Sequence, residues 1–267
     1  MLASIPSPAS NVLDLGPLEI HYYGIFIGLG VVVAAIVTTR RYERFGGDAS
    51  GLDSVIVWTV ALGFAGARLA YVSTHLSRYD GRPWAILYIW EGGLALFGGL
   101  TAGAITAIVL LRRRGYSIPA FADAIALGLP LAQAIGRWGN YANQELFGTP
   151  STLPWAVEIE AARRPVEYAA FETFHPTFLY ESLWNFLIVV PVILWLERRR
   201  VLGFGASFGV YLSLYGVVRF LTELIRTDTS FRFLGLSRNG WVSIGAVLVG
   251  LAVVWWRRDV ERPAAVP

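Results

Sequence analysis

Seven runs of about 20 predominantly apolar residues are spaced along this 267-residue chain, and they constrain its fold more than any other feature. The hydrocarbon core of a bilayer, about 30 Å thick, takes roughly 20 helical residues to cross. The runs fall at Ile20–Thr38, Leu52–Val72, Gly92–Leu111, Ala120–Ile135, Thr177–Leu196, Gly205–Leu224 and Trp241–Trp256. In lipid the backbone must satisfy its own hydrogen bonds, so segments of this length are expected as helices. Composition agrees: 15% of residues are charged, against roughly 25% in a soluble domain. Mean hydropathy is +0.53. The expectation is an all-α integral membrane protein with seven transmembrane helices, folded as a single polytopic domain over residues 1–267.

The arginines orient it. Arg40, Arg41 and Arg44 follow the first run, Arg112–Arg114 the third, Arg198–Arg200 the fifth, and Arg257, Arg258 and Arg262 the seventh. All four clusters lie on one side, which the positive-inside rule makes the cytoplasm. The N-terminus is therefore expected outside and the C-terminus inside. No basic residue precedes the first apolar run, so the N-terminus does not read as an ordinary secretory signal peptide. The longest loop, residues 141–175, is expected as a small external cap between helices four and five. It is moderately acidic, with Glu145, Glu158, Glu160, Glu167 and Glu172 against Arg163 and Arg164.

Composition also excludes chemistry. There is no cysteine, hence no disulfide, thiolate metal site or cysteine nucleophile. The histidines His21, His75 and His175 are too scattered for ligand spacing, so no metal is expected. HExxH, GxSxG and Walker patterns are missing. The basic pI, near 9.3, reads as membrane topology rather than nucleic-acid binding, and no cofactor is implied.

Charges inside a bilayer cost roughly 2.5–3.5 kcal/mol each at its centre and mark function by default. Arg68 lies late in the second run and Arg137 closes the fourth. In the sixth, Tyr215, Arg219, Glu223 and Arg226 fall within an arc of about 80° at helical spacing. With alternating helix directions, His21, Tyr23, Arg68, Glu91, Arg137, Asn140, His175, Tyr180, Glu181, Arg219 and Glu223 share one depth. That describes a polar cavity opening to the outer leaflet. Guanidinium forks match phosphate oxygens and stay charged at any relevant pH, so an anionic phospholipid headgroup fits. A structural ion pair, or a transporter or flippase for an anionic lipid, would use the same residues. Against transport, no internal repeat is visible.

The stretch "GRWGNYANQELFG", Gly136 to Gly148, resembles the signature of the bacterial prolipoprotein diacylglyceryl transferase family, G-R-x-G-N-[FY]-x-N-x-E-x-x-G. "HYYGIFIGLG", "GARLAY", "HPTFLYES" and "YGVVRFLTELIR" resemble further blocks of that family in the same order, over about Ile20 to Trp256. The resemblance implies a bacterial plasma-membrane enzyme that moves the diacylglyceryl group of phosphatidylglycerol to the lipobox cysteine thiol of a prolipoprotein. The products are a thioether and glycerol 1-phosphate, in the first step of lipoprotein maturation. The nucleophile belongs to the substrate, which fits a chain without cysteine.

With the resemblance, the catalytic set is expected to be Arg137, Arg219, Glu145 and Glu223. The arginines would stabilise negative charge growing on the departing phosphate, and the glutamates would orient them or take a proton. Phosphatidylglycerol binding is expected of His21, Tyr23, Arg68, Asn140, Asn143, Gly148, His175 and Tyr215. Gly148 would let backbone approach the ligand. Some family members carry a histidine at the start of the third helix, suited to general-base work; here "ALFGG" puts Phe97 there. Thiolate formation would then rest on arginine electrostatics, with Glu145, Glu223 or His21 as candidate bases.

Overall fold

A computed structural model describes residues 4–16, 18–89, 92–228 and 232–262. Among them, seven helices are long and apolar enough to cross a membrane. These are α1 (Tyr22–Arg44), α2 (Leu52–Thr74), α3 (Leu96–Arg113), α4 (Ile118–Ala142), α5 (Thr177–Arg198), α6 (Ser207–Ile225) and α7 (Arg238–Arg257). Each of the four arginine clusters begins within the last four residues before, or at, a helix C-terminus.

The chain divides into two compact units, Met1–Arg41 with Ala122–Ala264, and Tyr42–Phe121. In the second unit α2 and α3 lie together along a glycine seam. A Cβ built on Gly66 would stand 2.9 Å from Gly98 O, and one on Gly98 2.7 Å from Gly66 O. Contacts this close require small residues, the usual device for packing helices where lipid removes the hydrophobic drive.

The first unit holds α1, α4, α5, α6 and α7. The seam of α1 against α4 is also made by small residues: a Cβ on Gly30 would lie 2.9 Å from Ala132 O, and one on Gly128 3.0 Å from Ala34 O. At the end of this seam the ring of Tyr23 lies across Gly139, whose Cβ would meet Tyr23 Cδ2 at 2.7 Å. Ser182 Oγ donates to Ala134 O at 2.9 Å and Trp184 Nε1 to Leu214 O at 3.0 Å, joining α5 to α4 and α6. One turn of α5, Asn185–Val189, widens to a π-helix. Pro191 explains it: its ring crowds the carbonyl four residues back and it offers no N–H.

Three short antiparallel ribbons complete the unit: β1 (Val12–Leu15) with β2 (Leu18–His21), β3 (Val157–Glu158) with β4 (Thr173–Phe174), and β5 (Arg232–Phe233) with β6 (Leu236–Ser237). Residues 141–175 gather around a core of Phe147, Val157, Ile159 and Phe174, sealed by Phe178 at the start of α5. Backbone bonds tie this segment down, Gly148 N to His175 O at 2.9 Å and Thr149 N to Ile225 O at 2.7 Å.

Candidate active site

The α4 helix continues seven residues beyond the apolar run expected to end at Ile135, through "GRWGNYA" to Ala142. No proline interrupts those residues, and α1 covers their glycines. Arg137 and Asn140 therefore sit one helical turn apart on one face. Arg137 Nη1 lies 3.5 Å from Asn140 Oδ1, and Asn140 Nδ2 donates to Glu145 Oε1 at 2.8 Å. Asn143 Nδ2 approaches the same oxygen at 3.4 Å.

Glu145 is held out for this contact by an unusual backbone. Its neighbours Gln144 and Leu146 both have left-handed conformations, φ 51° and 59°. Non-glycine residues, bulky ones above all, take such angles only where their surroundings over-determine them. Here Gln144 Oε1 accepts from Glu160 N at 2.8 Å, and Leu146 O accepts from the Thr177 hydroxyl.

The centre of the site is a carboxylate with no role legible in the sequence. Glu181 of α5 is 1% exposed and bridges two helices. Its Oε2 pairs with Arg137 Nη2 of α4, and its Oε1 lies 3.9 Å from Arg219 Nη1 of α6. Arg219 Nη2 also pairs with Glu223 Oε2, one turn along α6, at 2.6 Å. Glu223 Oε1 in turn accepts from Ser237 Oγ at 2.6 Å and faces Asn239 Nδ2 at 3.4 Å. The Tyr215 hydroxyl stands 3.4 Å from Arg137 Nη2. Two arginines and two carboxylates thus form one buried chain across α4, α5 and α6.

Each guanidinium carries five N–H donors, and these contacts do not exhaust them. Arg219 Nη1 is buried with no hydrogen-bond acceptor among the described residues. The arrangement is pre-oriented, charged and short of acceptors, which is what a ligand with anionic oxygens supplies.

The profile of the family described as "Prolipoprotein diacylglyceryl transferase" matches residues 10–256. The chain belongs to the prolipoprotein diacylglyceryl transferase family. It is 46% identical over 254 residues to phosphatidylglycerol–prolipoprotein diacylglyceryl transferase 2 of Streptomyces coelicolor, covering 94% of this chain and 80% of that one. It is 43% identical over 268 residues to the like-named protein of Frankia alni, covering 98% and 70%. With that of Paenarthrobacter aurescens it shares 41% over 273 residues, covering 98% and 86%. The family expected from the signature stretch is the family found.

Within this diacylglyceryl transferase fold the remaining expected residues fall into distinct places. Tyr23 lies over Gly139 beside the arginine cluster. The space left by the missing Cβ of Gly148 is filled by protein, His175 Cβ at 2.8 Å and Ile225 O at 3.1 Å from a built Cβ. His175 Nδ1 is 3.0 Å from Tyr180 Oη, which accepts from Trp155 Nε1 at 3.2 Å. Burial pushes the His175 pKa down.

Arg68 belongs to the other unit. Its three guanidinium nitrogens donate to the carbonyls of Ala85, Ile86, Tyr88, Gly92 and Gly93, organising the connection between α2 and α3. Phe97 stands in the first turn of α3, 43% exposed, and Glu91 lies outside the described residues. Arg226, expected on the α6 stripe, is instead extended just past the helix end. It pairs with Asp228 through two bonds. Burial alone would raise the Asp228 pKa; the Arg226 hydrogen bonds and charge outweigh it and hold the carboxyl below its usual range.

A cavity of about 500 Å³ adjoins the cluster, bounded by the strained loop 143–147, by Asn11 and His21, by Arg163 and Pro165, and by Thr227 and Asp228. Glu145 belongs to both, lining the cavity while bonding Asn140.

Proposed function

We propose that this chain transfers the diacylglyceryl group of phosphatidylglycerol to the lipobox cysteine thiol of a prolipoprotein, working as one multi-pass domain of a bacterial plasma membrane. The observation that carries the reading is the buried Arg137–Glu181–Arg219 bridge with an uncommitted donor on Arg219. The arginine clusters at the ends of α1, α3, α5 and α7 support a cytoplasmic C-terminus. The active site then faces the outer leaflet, with residues 141–175 as an external cap.

In this reading the lipid phosphate takes donors from Arg137 and Arg219. Glu181 and Glu223 fix both forks beforehand, so little reorganisation is left for the reaction. Asn140, Asn143, Tyr23 and Tyr215 surround the headgroup with polar contacts. His21, Gly148 and His175 shape its outer rim. The thiolate sulfur attacks the glyceryl carbon, a carbon–sulfur bond forms, and the carbon–oxygen bond breaks. Its electron pair goes to the phosphate oxygen of the departing glycerol 1-phosphate.

A thiol of pKa about 8.5 is mostly protonated near neutrality, so the proton needs an acceptor. Glu223 has both oxygens engaged by Ser237 and Arg219. The bonds from Asn140 and Asn143 both fall on Glu145 Oε1. Glu145 also borders the cavity, and it is assigned as the proton acceptor in place of the histidine that Phe97 displaces.

The test is turnover of the purified protein in phosphatidylglycerol vesicles with a lipobox peptide, read by mass spectrometry. Wild type forms the thioether, and Arg137→Ala or Arg219→Ala lowers kcat by about 10²–10³, as removal of one preorganised donor does. A folded wild type that forms no thioether, or normal rates in both variants, refutes the reading.

A further inference from the structure

We infer that the cavity of about 500 Å³ beside Glu145 seats the stretch of acceptor polypeptide that immediately follows the cysteine. This rests on the transferase reading above.

Position is the first argument. Asn11 and His21 precede α1, Asn143 and Glu145 follow α4, and Asp228 follows α6. Every wall thus lies at or beyond the helix ends, outside the span that hydrocarbon would fill. Acyl chains do not belong there. A polypeptide whose cysteine reaches the buried cluster, and which continues out of the membrane, must pass this level. Glu145 links the two compartments, since it lines the cavity and bonds Asn140 one turn from Arg137.

Chemistry is the second. Two carboxylates, Glu145 and Asp228, face a space that also holds Arg163 and His21. Asp228 is already met by Arg226, but the Glu145 carboxylate carries like charge to the phosphate of the leaving group, whose oxygens accept hydrogen bonds and offer none to it. A peptide backbone offers donors and acceptors alternately. The carboxamides of Asn11 and Asn143 and the imidazole of His21 can meet both kinds.

Size and rigidity are the third. The volume lies within the roughly 300–1,000 Å³ of formed ligand sites, room for a few residues and too little for a diacyl lipid. The left-handed residues Gln144 and Leu146 are pinned from behind by Glu160 and Thr177. The wall they make is thereby set before any peptide arrives, which lowers the ordering cost of binding.

Two lipobox peptides test this, one ending at the cysteine as an amide and one extended by a few neutral residues. The extended peptide is expected to show about fivefold lower KM, the worth of one or two hydrogen bonds. Arg163→Trp, which fills the space from an exposed position, collapses that ratio toward one. Equal KM values in wild type, or a ratio unchanged by Arg163→Trp, overturn the inference.

Wild type also serves without any variant. A photoreactive residue placed third after the cysteine is expected to label segments 143–147, 163–165 or 227–228. Labelling elsewhere, or labelling suppressed by glycerol phosphate, overturns it. If neither peptide acquires a thioether, the transferase reading itself fails, and the labelling pattern still decides what the cavity holds.

Discussion

Replacing Glu181 by Gln removes one negative charge from the centre of the cluster while keeping the side chain's shape. Glu181 is 1% exposed and is the one carboxylate bonded to Arg137 among the described residues, whereas Arg219 retains Glu223 at 2.6 Å. The substitution therefore strands one arginine, not two. Breaking a buried ion pair by removing one partner costs about 3–5 kcal/mol. The Arg137 side chain is 16% exposed, and the Tyr215 hydroxyl nearby still accepts from it, so the lower end, about 3 kcal/mol, is expected. Reversible unfolding in mixed micelles measures that loss. Arg137→Met alone leaves Glu181 with Arg219 Nη1 at 3.9 Å and the Thr222 hydroxyl at 3.3 Å, whereas Arg137→Met with Glu181→Gln removes both charges of the pair. The double variant should be more stable than the sum of the two losses predicts, by a coupling of about 1–3 kcal/mol. A Glu181→Gln protein as stable as wild type, or strictly additive losses, would refute the bridging role. Activity separates structure from chemistry: Glu181→Gln should lower kcat more than it raises the KM for phosphatidylglycerol, because the forks lose their preset geometry.

Other substitutions probe the supports. Gly139→Ala would drive a methyl to 2.7 Å from Tyr23 Cδ2. The expected overpacking loss is about 1–3 kcal/mol with a higher KM for the lipid, read by unfolding and lipid titration; unchanged KM would detach Tyr23 from the headgroup. Gly148→Ala would press on His175 Cβ and Ile225 O at 2.8 and 3.1 Å. Its strain should loosen residues 141–175, seen as faster amide exchange at Thr149 and His175, and wild-type exchange would contradict the close approach. His175 has a folded pKa lowered by burial, so the unfolded chain binds the extra proton first as pH falls below about 6.5. Stability should drop through the window from there down to the folded pKa. His175→Gln should flatten that part of the profile, and an identical profile in both proteins would refute the assignment.

The transmembrane spans were legible because a long apolar run admits few structures, and Leu52–Val72 and Gly205–Leu224 lie close to α2 and α6. Boundaries were harder where polar residues continue a helix. The run ending at Ile135 hides two further turns of α4, because neighbouring helices, not hydropathy, cover Gly136 and Gly139. The α6 stripe read correctly for Tyr215, Arg219 and Glu223 and failed at Arg226, where the helix stops at Ile225 and Asp228 captures the guanidinium. Arg137 and Asn140 were visible as polar residues closing an apolar helix. The part played by Glu181 was not, since it depends on three helices crossing at one point and no spacing within "HPTFLYES" encodes that. Arg68 carried the same polar signal as Arg137, yet its donors are taken by backbone carbonyls of its own loop, a partner no side-chain pattern reveals.

In the proposed reaction Arg137 and Arg219 together receive the phosphate of the donor lipid. A structure determined with a non-cleavable phosphatidylglycerol analogue bound tests it most directly. Phosphate oxygens are expected within about 3.2 Å of guanidinium nitrogens on both arginines, with Arg219 Nη1 among them and the acyl chains lying along the helices. A phosphate held elsewhere, with the Arg137–Glu181–Arg219 bridge undisturbed and remote from it, would rule out that role for the two arginines.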